Sequence, residues 1–194
     1  MRTPARTLGM SAPNDRALRR ARSLASHVTV SSTGRDVSGP GSTDSPESWV
    51  RREGDRFGPG KWMVVDQTRV DAFAECTEDH QWIHRAGAAT PFGGPIAHGF
   101  LTLSLLPALC RDVLPRHPWV ASEINCGFNK TRFVSPVAVG ARVRAAVELV
   151  RAKALEPPAR GVETVTKVTV EIEGNARPAL VAEWVTRQYA AEAP

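Results

Sequence analysis

Apolar and polar positions sort the chain into three zones. From Trp62 onward the pattern is regular: Trp62-Met63-Val64-Val65 reads as a short strand. Asp66 then stands where a helix cap belongs, before Val70, Phe73, Ala74 and Thr77 at i, i+3, i+4 and i+7. The run Phe100–Cys110 is apolar nearly all round, which predicts a helix buried on most sides and bent at Pro107. Charges and two prolines between Arg111 and Pro118 make a loop. The last third alternates with period two. Val143, Ala145, Val147 and Leu149 interleave with Arg142, Arg144 and Glu148, and Val168, Val170 and Ile172 with Lys167, Thr169 and Glu171. These predict strands over 141–149 and 162–173 with one wet face. Segments 119–128, 132–133 and 180–189 supply further strands, with turns at Ser135-Pro136, Glu156-Pro157-Pro158 and Gly174-Asn175. An antiparallel sheet wrapped on one buried helix is an α+β arrangement.

Residues 1–47 carry no such pattern. They are rich in Arg, Ser, Thr, Pro and Gly and end in Gly39-Pro40-Gly41-Ser42-Thr43-Asp44-Ser45-Pro46, a composition that buries too little apolar surface to offset ordering entropy. A disordered basic leader, a transit peptide and a start codon placed too early all fit this stretch. The single domain is expected over 48–194.

Charge changes this picture little. The 194 residues carry a formal net charge of +5, but the first thirty hold six arginines against one acid, and the remainder is balanced at nineteen of each sign. The body lacks the basic footprint of a nucleic-acid-binding protein. Three widely spaced cysteines, Cys76, Cys110 and Cys126, form neither a disulfide framework nor a zinc knuckle, which fits a reducing, cytoplasmic setting. No apolar run reaches the roughly 18 to 20 residues that span a bilayer.

Chemistry concentrates in residues 77–100, which hold three of the five histidines. Asp79 and His84, five apart after a helix, can turn toward one point and hold a water, one group taking a proton while the other gives one. They can equally be a turn cap and a packed histidine. Gly93-Gly94-Pro95-Ile96-Ala97-His98-Gly99 runs into the apolar helix, so the Gly99 amide can face a carbonyl on which charge develops, or the segment is an ordinary tight turn. His80, His84, Asp79 and His98 imitate metal-ligand spacing, but the Glu of H-E-x-x-H is missing, and no metal is expected. G-x-S-x-G, phosphate-loop and dinucleotide fingerprints are absent from the sequence.

The D-x-x-x-x-H of Asp79–His84, Pro91-Phe92-Gly93 and the stretch Ile96-Ala97-His98-Gly99-Phe100-Leu101 through Leu106 together resemble the MaoC-like dehydratases, the (R)-specific enoyl-CoA hydratase group. Similarity continues through Ile124–Lys130, Arg132-Phe133, Pro136-Val137 and Val139-Gly140, covering about residues 60–190. The resemblance implies a single hot dog domain, a sheet wrapped round a central helix starting near His98, and a homodimer that completes the active sites. It implies hydration of trans-2-enoyl thioesters, carried by CoA or acyl carrier protein, with no metal or redox cofactor. Asp79 and His84 then activate water and the Gly99 amide binds the thioester carbonyl. His98, Phe100, Asn129 and Lys130 fall near the substrate. A hot dog thioesterase and a non-catalytic acyl-binding subunit are the competing readings of the same fold. One departure stands out: the link Arg85–Thr90 is shorter than the turn that follows the histidine in relatives.

Overall fold

The computed structural model describes residues 45–191. The expected leader falls outside the described residues except at its last positions. There α1, Pro46–Val50, already buries Pro46 and Trp49, so packed structure starts two residues ahead of Ser48.

Two short strands follow, β1 (Arg56–Phe57) and β2 (Met63–Val64), then helix α2 (Gln67–Thr77). As its position predicts, Asp66 caps α2, its carboxylate accepting the Arg69 N–H at 2.9 Å. Trp82–His84 make one 3-10 turn. The predicted buried helix exists as two pieces, α3 (Gly99–Ser104) and α4 (Leu106–Cys110). The break at Leu105 has its cause in Pro107, which has no N–H to give and sits in the first turn of α4, where none is needed.

Four long strands complete the fold: β3 (Val120–Phe133), β4 (Arg142–Ala154), β5 (Gly161–Ile172) and β6 (Leu180–Ala190). The sheet is antiparallel in the order β1-β4-β5-β6-β3, with β2 also on β4. Two expectations need correction. The strands over 119–128 and 132–133 are one 14-residue strand, kept continuous across bulges near Gly127 and Asn129 by pairing with β6. The strand over 141–149 runs on to Ala154, because Arg151–Ala154 pair with Val162–Val165 beyond a bulge.

Leu101, Leu105, Leu106 and Leu109 of the central helix pack against Val143, Ala145, Val168, Val170, Leu180 and Trp184 of the sheet. Burial of each leucine side chain contributes about 1.5 to 3 kcal/mol. A second, smaller cluster joins Trp49 to Leu149, Ala152 and Val162 under α1. β3 meets the central helix at Phe133, beside Gly99 and Phe100, and is exposed along most of its length, including Ile124, Phe128 and Phe133. No described helix is long and apolar enough to cross a membrane.

Candidate active site

The end of α2 aims the first candidate residue. Glu78, its C-cap, adopts a left-handed backbone at φ 58°, the sole described non-glycine residue to do so. This turn ends the helix and sends Asp79 to the mouth of a cavity of about 430 Å³. The cavity is also lined by His84, His98, Gly99, Phe100 and Phe133.

Three backbone bonds draw the separate sequence segments together. The Ile96 N–H reaches the Ile83 carbonyl at 3.1 Å, the Ala97 N–H reaches Val137 at 2.8 Å, and the Val139 N–H reaches Pro95 at 2.9 Å. The 3-10 turn carrying His84 is thereby fixed beside the start of α3, which carries His98 and Gly99. Gln67 adds a further tie, its side-chain amide donating to the His84 carbonyl at 2.8 Å.

His84 is buried, with Nδ1 2.7 Å from the Ile96 carbonyl. A carbonyl only accepts, so Nδ1 carries a proton, and in the neutral ring Nε2 presents a lone pair. His98 is buried too, and its Nε2 donates to the Asp79 backbone carbonyl at 2.9 Å. The imidazoles of His84 and His98 stack with centroids 3.6 Å apart. Asp79, with half of its side chain exposed, turns Oδ2 to within 4.0 Å of His98 Nε2, and its Oδ1 stands 3.4 Å from the Gln81 N–H. An acid, an imidazole lone pair and a second, neutral-bonded imidazole thus share one wall.

Donor atoms of Asp79, His84 and His98 lie within 4.8 Å of one another, a grouping with the composition of a metal site. His80 is outside it, exposed, with Nδ1 3.6 Å from Glu75. The sequence placed His98 at a distance from this cluster, and the fold brings it in. Binding a cation through His98 Nε2 requires breaking its bond to the Asp79 carbonyl.

Gly99 is the first residue of α3, so its N–H has no partner within the helix. A Cβ here would meet the Phe133 ring at 3.2 Å, so the residue's smallness keeps this wall open. Phe100 is largely exposed and meets Phe133 edge-on at 5.8 Å, forming an apolar lip. Asn129 and Lys130 lie elsewhere: both are exposed on β3, Asn129 at a bulge and Lys130 opposite Glu183, and neither lines the cavity of its own chain. The link 85–90 closes in a tight turn, Ala88 N–H to the Arg85 carbonyl at 3.1 Å, and Thr90 Oγ1 donates to the Gly94 carbonyl. Sequence reasoning missed Gln67, Phe133 and the 134–137 segment. Phe133, Pro136 and Val137 fall within the stretch that carries the family resemblance, but nothing in their spacing assigned them to the cavity.

The profile of the family described as MaoC like domain matches residues 50–172. The chain is 45% identical over 139 residues to nodulation protein N of Rhizobium leguminosarum, covering 70% of this chain and 85% of that protein. It is 45% identical over 141 residues to 3-hydroxyacyl-thioester dehydratase Z of Mycobacterium tuberculosis, covering 71% and 91%. Among solved structures, the (R)-hydratase from A. caviae involved in PHA biosynthesis superposes with a TM-score of 0.53 at 28% identity, over 69% of this chain and 94% of that one. An Archaeoglobus protein described as a monoamine oxidase regulatory protein gives a TM-score of 0.58 at 23% identity over 76% and 95%, a likeness of fold.

Proposed function

Because the chain belongs to the MaoC-like domain family, we propose that it catalyses the reversible hydration of trans-2-enoyl thioesters to (R)-3-hydroxyacyl thioesters. The observation that carries this reading is the convergence of Asp79, the His84 lone pair and the Gly99 amide on one cavity. Asp79 and His84 hold a water over C3 of the enoyl group. His84 Nε2 takes a proton as the oxygen adds to C3, and the electron pair of the double bond moves toward the thioester oxygen. The Gly99 N–H stabilises the resulting enolate, and the acid/base pair returns a proton to C2. Nothing in this sequence of steps needs an electron acceptor. Acyl-CoA is the carrier against which the reading is tested, and the free cysteines fit a cytoplasmic setting.

The reading includes a homodimer formed along β3. This edge strand leaves 14 residues unpaired on one side and exposes Ile124, Phe128 and Phe133, the form of edge that pairs with another strand.

The test is loss of the conjugated-thioester absorbance of crotonyl-CoA. Asp79→Asn and His84→Ala are each expected to slow it by about 10²- to 10⁴-fold with the fold intact by circular dichroism. Wild-type rates in both variants would sink the assignment of these residues.

A further inference from the structure

A smaller cavity, of about 230 Å³, opens on the other side of the wall that carries Asp79 and His84. Asp79, Gln81 and His84 line both spaces, so the partition between them is one side chain thick. The two spaces differ in character. The catalytic cavity is walled by Ile83, Ile96, Phe133, Val134 and Val137, with the Phe100 ring at its lip. The smaller one has buried Ala74 at its floor and the exposed side chains of Asp71, Glu75, His80 and Arg85 around it.

These polar walls are tied to the catalytic turn. Gln67 Nε2 donates to Asp71 Oδ1 at 2.7 Å and to the His84 carbonyl at 2.8 Å, using both hydrogens of its amide. One side chain thereby fixes the rim of the small cavity to the turn that bears His84. Across that rim Glu75 Oε1 stands 3.6 Å from His80 Nδ1. His84 itself is 7% exposed, and its one side-chain hydrogen bond among the described residues is that of Nδ1 to the Ile96 carbonyl. Its second nitrogen therefore finds a hydrogen-bond partner only in what enters one of the two cavities.

Hydration consumes one water at Asp79 and His84 in each turnover, while the enoyl thioester occupies the apolar cavity beside them. A bound acyl group shuts that side to solvent. The polar side stays open, and its space holds several water molecules. The same walls reject other occupants. An apolar chain cannot pair with them, and the carboxylates of Asp71, Glu75 and Asp79 outnumber the one guanidinium, Arg85, which disfavours the phosphates of a CoA carrier.

We propose that the small cavity is the water port of the acid/base pair: it delivers the water that adds to C3 and, in dehydration, removes the water that leaves, while the acyl thioester stays bound on the other side. The proposal rests on the hydration reading above. In the dehydration direction the C3–O bond breaks, the pair takes the C2 proton and gives one to the leaving oxygen, and the water formed exits past Asp79 with no other reactant consumed.

The experiment starts from (R)-3-hydroxybutyryl-CoA carrying oxygen-18 on C3, with an added enoyl-CoA reductase and its nicotinamide cofactor to remove every crotonyl-CoA released. Label lost from the recovered hydroxybutyryl-CoA then reports water exchanged while the enoyl product was still bound. Mass spectrometry reads that exchange and the reduced product separately, and their ratio does not depend on how much of a variant is folded. Wild type should lose label at least as fast as it forms trapped product. His80→Trp covers the rim with an indole and Ala74→Leu fills the floor, and each should lower the ratio by about tenfold through slower exchange. Label retained in wild type until product is released, or an unchanged ratio in both variants, overturns the port while crotonyl-CoA turnover leaves the hydratase reading standing. A wild-type chain that neither hydrates crotonyl-CoA nor dehydrates its hydroxy form overturns both readings.

Discussion

His98 stacks on His84 at 3.6 Å, with 27° between the ring planes, while its Nε2 holds the backbone carbonyl of Asp79 at 2.9 Å. One buried side chain thus sets both members of the proposed acid/base pair. Phe73 also packs against it, with ring centroids 5.1 Å apart.

Replacing His98 separates these two contacts. His98→Phe keeps a ring under His84 and loses the bond to Asp79, and His98→Asn can keep a bond and loses the ring. Each is expected to lower kcat on crotonyl-CoA by about ten- to a hundredfold with little change in KM, since misplacement of catalytic groups by an ångström costs on that order. Steady-state kinetics alongside a thermal melt checks this, and unchanged kcat in both variants would show that His98 positions neither group.

Gly99 meets the Phe133 ring at 3.2 Å and 3.3 Å from the place a Cβ would take. Gly99→Ala therefore pushes that ring by a few tenths of an ångström into the cavity. Activity should fall several-fold, and a second change, Phe133→Leu, should restore part of it because the ring is what the methyl meets. A double-mutant cycle on kcat/KM reads the coupling.

The left-handed backbone at Glu78 is a strain that glycine does not feel. Glu78→Gly should hold or raise stability by up to about 1 kcal/mol. Glu78→Val, branched at Cβ, should lower it by about 1 to 2 kcal/mol. Urea denaturation measures both, and equal midpoints for glycine and valine would argue against strain at this turn.

Cys110 should resist thiol reagents in the native protein at pH 8, while exposed Cys76 reacts. Its pKa is raised from 9.0 to about 12, chiefly by burial, so the folded state holds this proton more tightly than the unfolded one. The resulting stability is complete below about pH 9 and is lost as pH climbs toward 12. Denaturation of wild type and Cys110→Ala from pH 8 upward should show the gap between them narrowing, and native reactivity of Cys110 equal to that of Cys76 would contradict its burial.

The period-two runs of β4, β5 and β6 were readable to within a few residues, because each has one face on the helix and one in water. β3 was not. Both its faces are largely exposed in the single chain, so its residues show no alternation, and only pairing with β6 reveals its length. The Asp66 cap follows from local chemistry and was legible, and the motifs put forward Asp79, His84 and Gly99 as candidates, which the fold brings to one cavity. The stacking of His98 was hidden, since it depends on Ile96 meeting Ile83 and Ala97 meeting Val137 across distant segments. Pro107 announced the break between α3 and α4, while α1 gave no periodic signal because it is only five residues long.

The bare flank of β3 makes the amount of protein present a variable in its own behaviour. If the folded chain gains its last buried surface only by meeting a second copy, its melting temperature rises with concentration and dilution unloads the catalytic cavities before it unfolds the chain. In the single chain the uncapped strand holds Ile124, Phe128 and Phe133 outward, so if pairing along β3 completes an assembly, the same edge is where crowding would first drive aggregation.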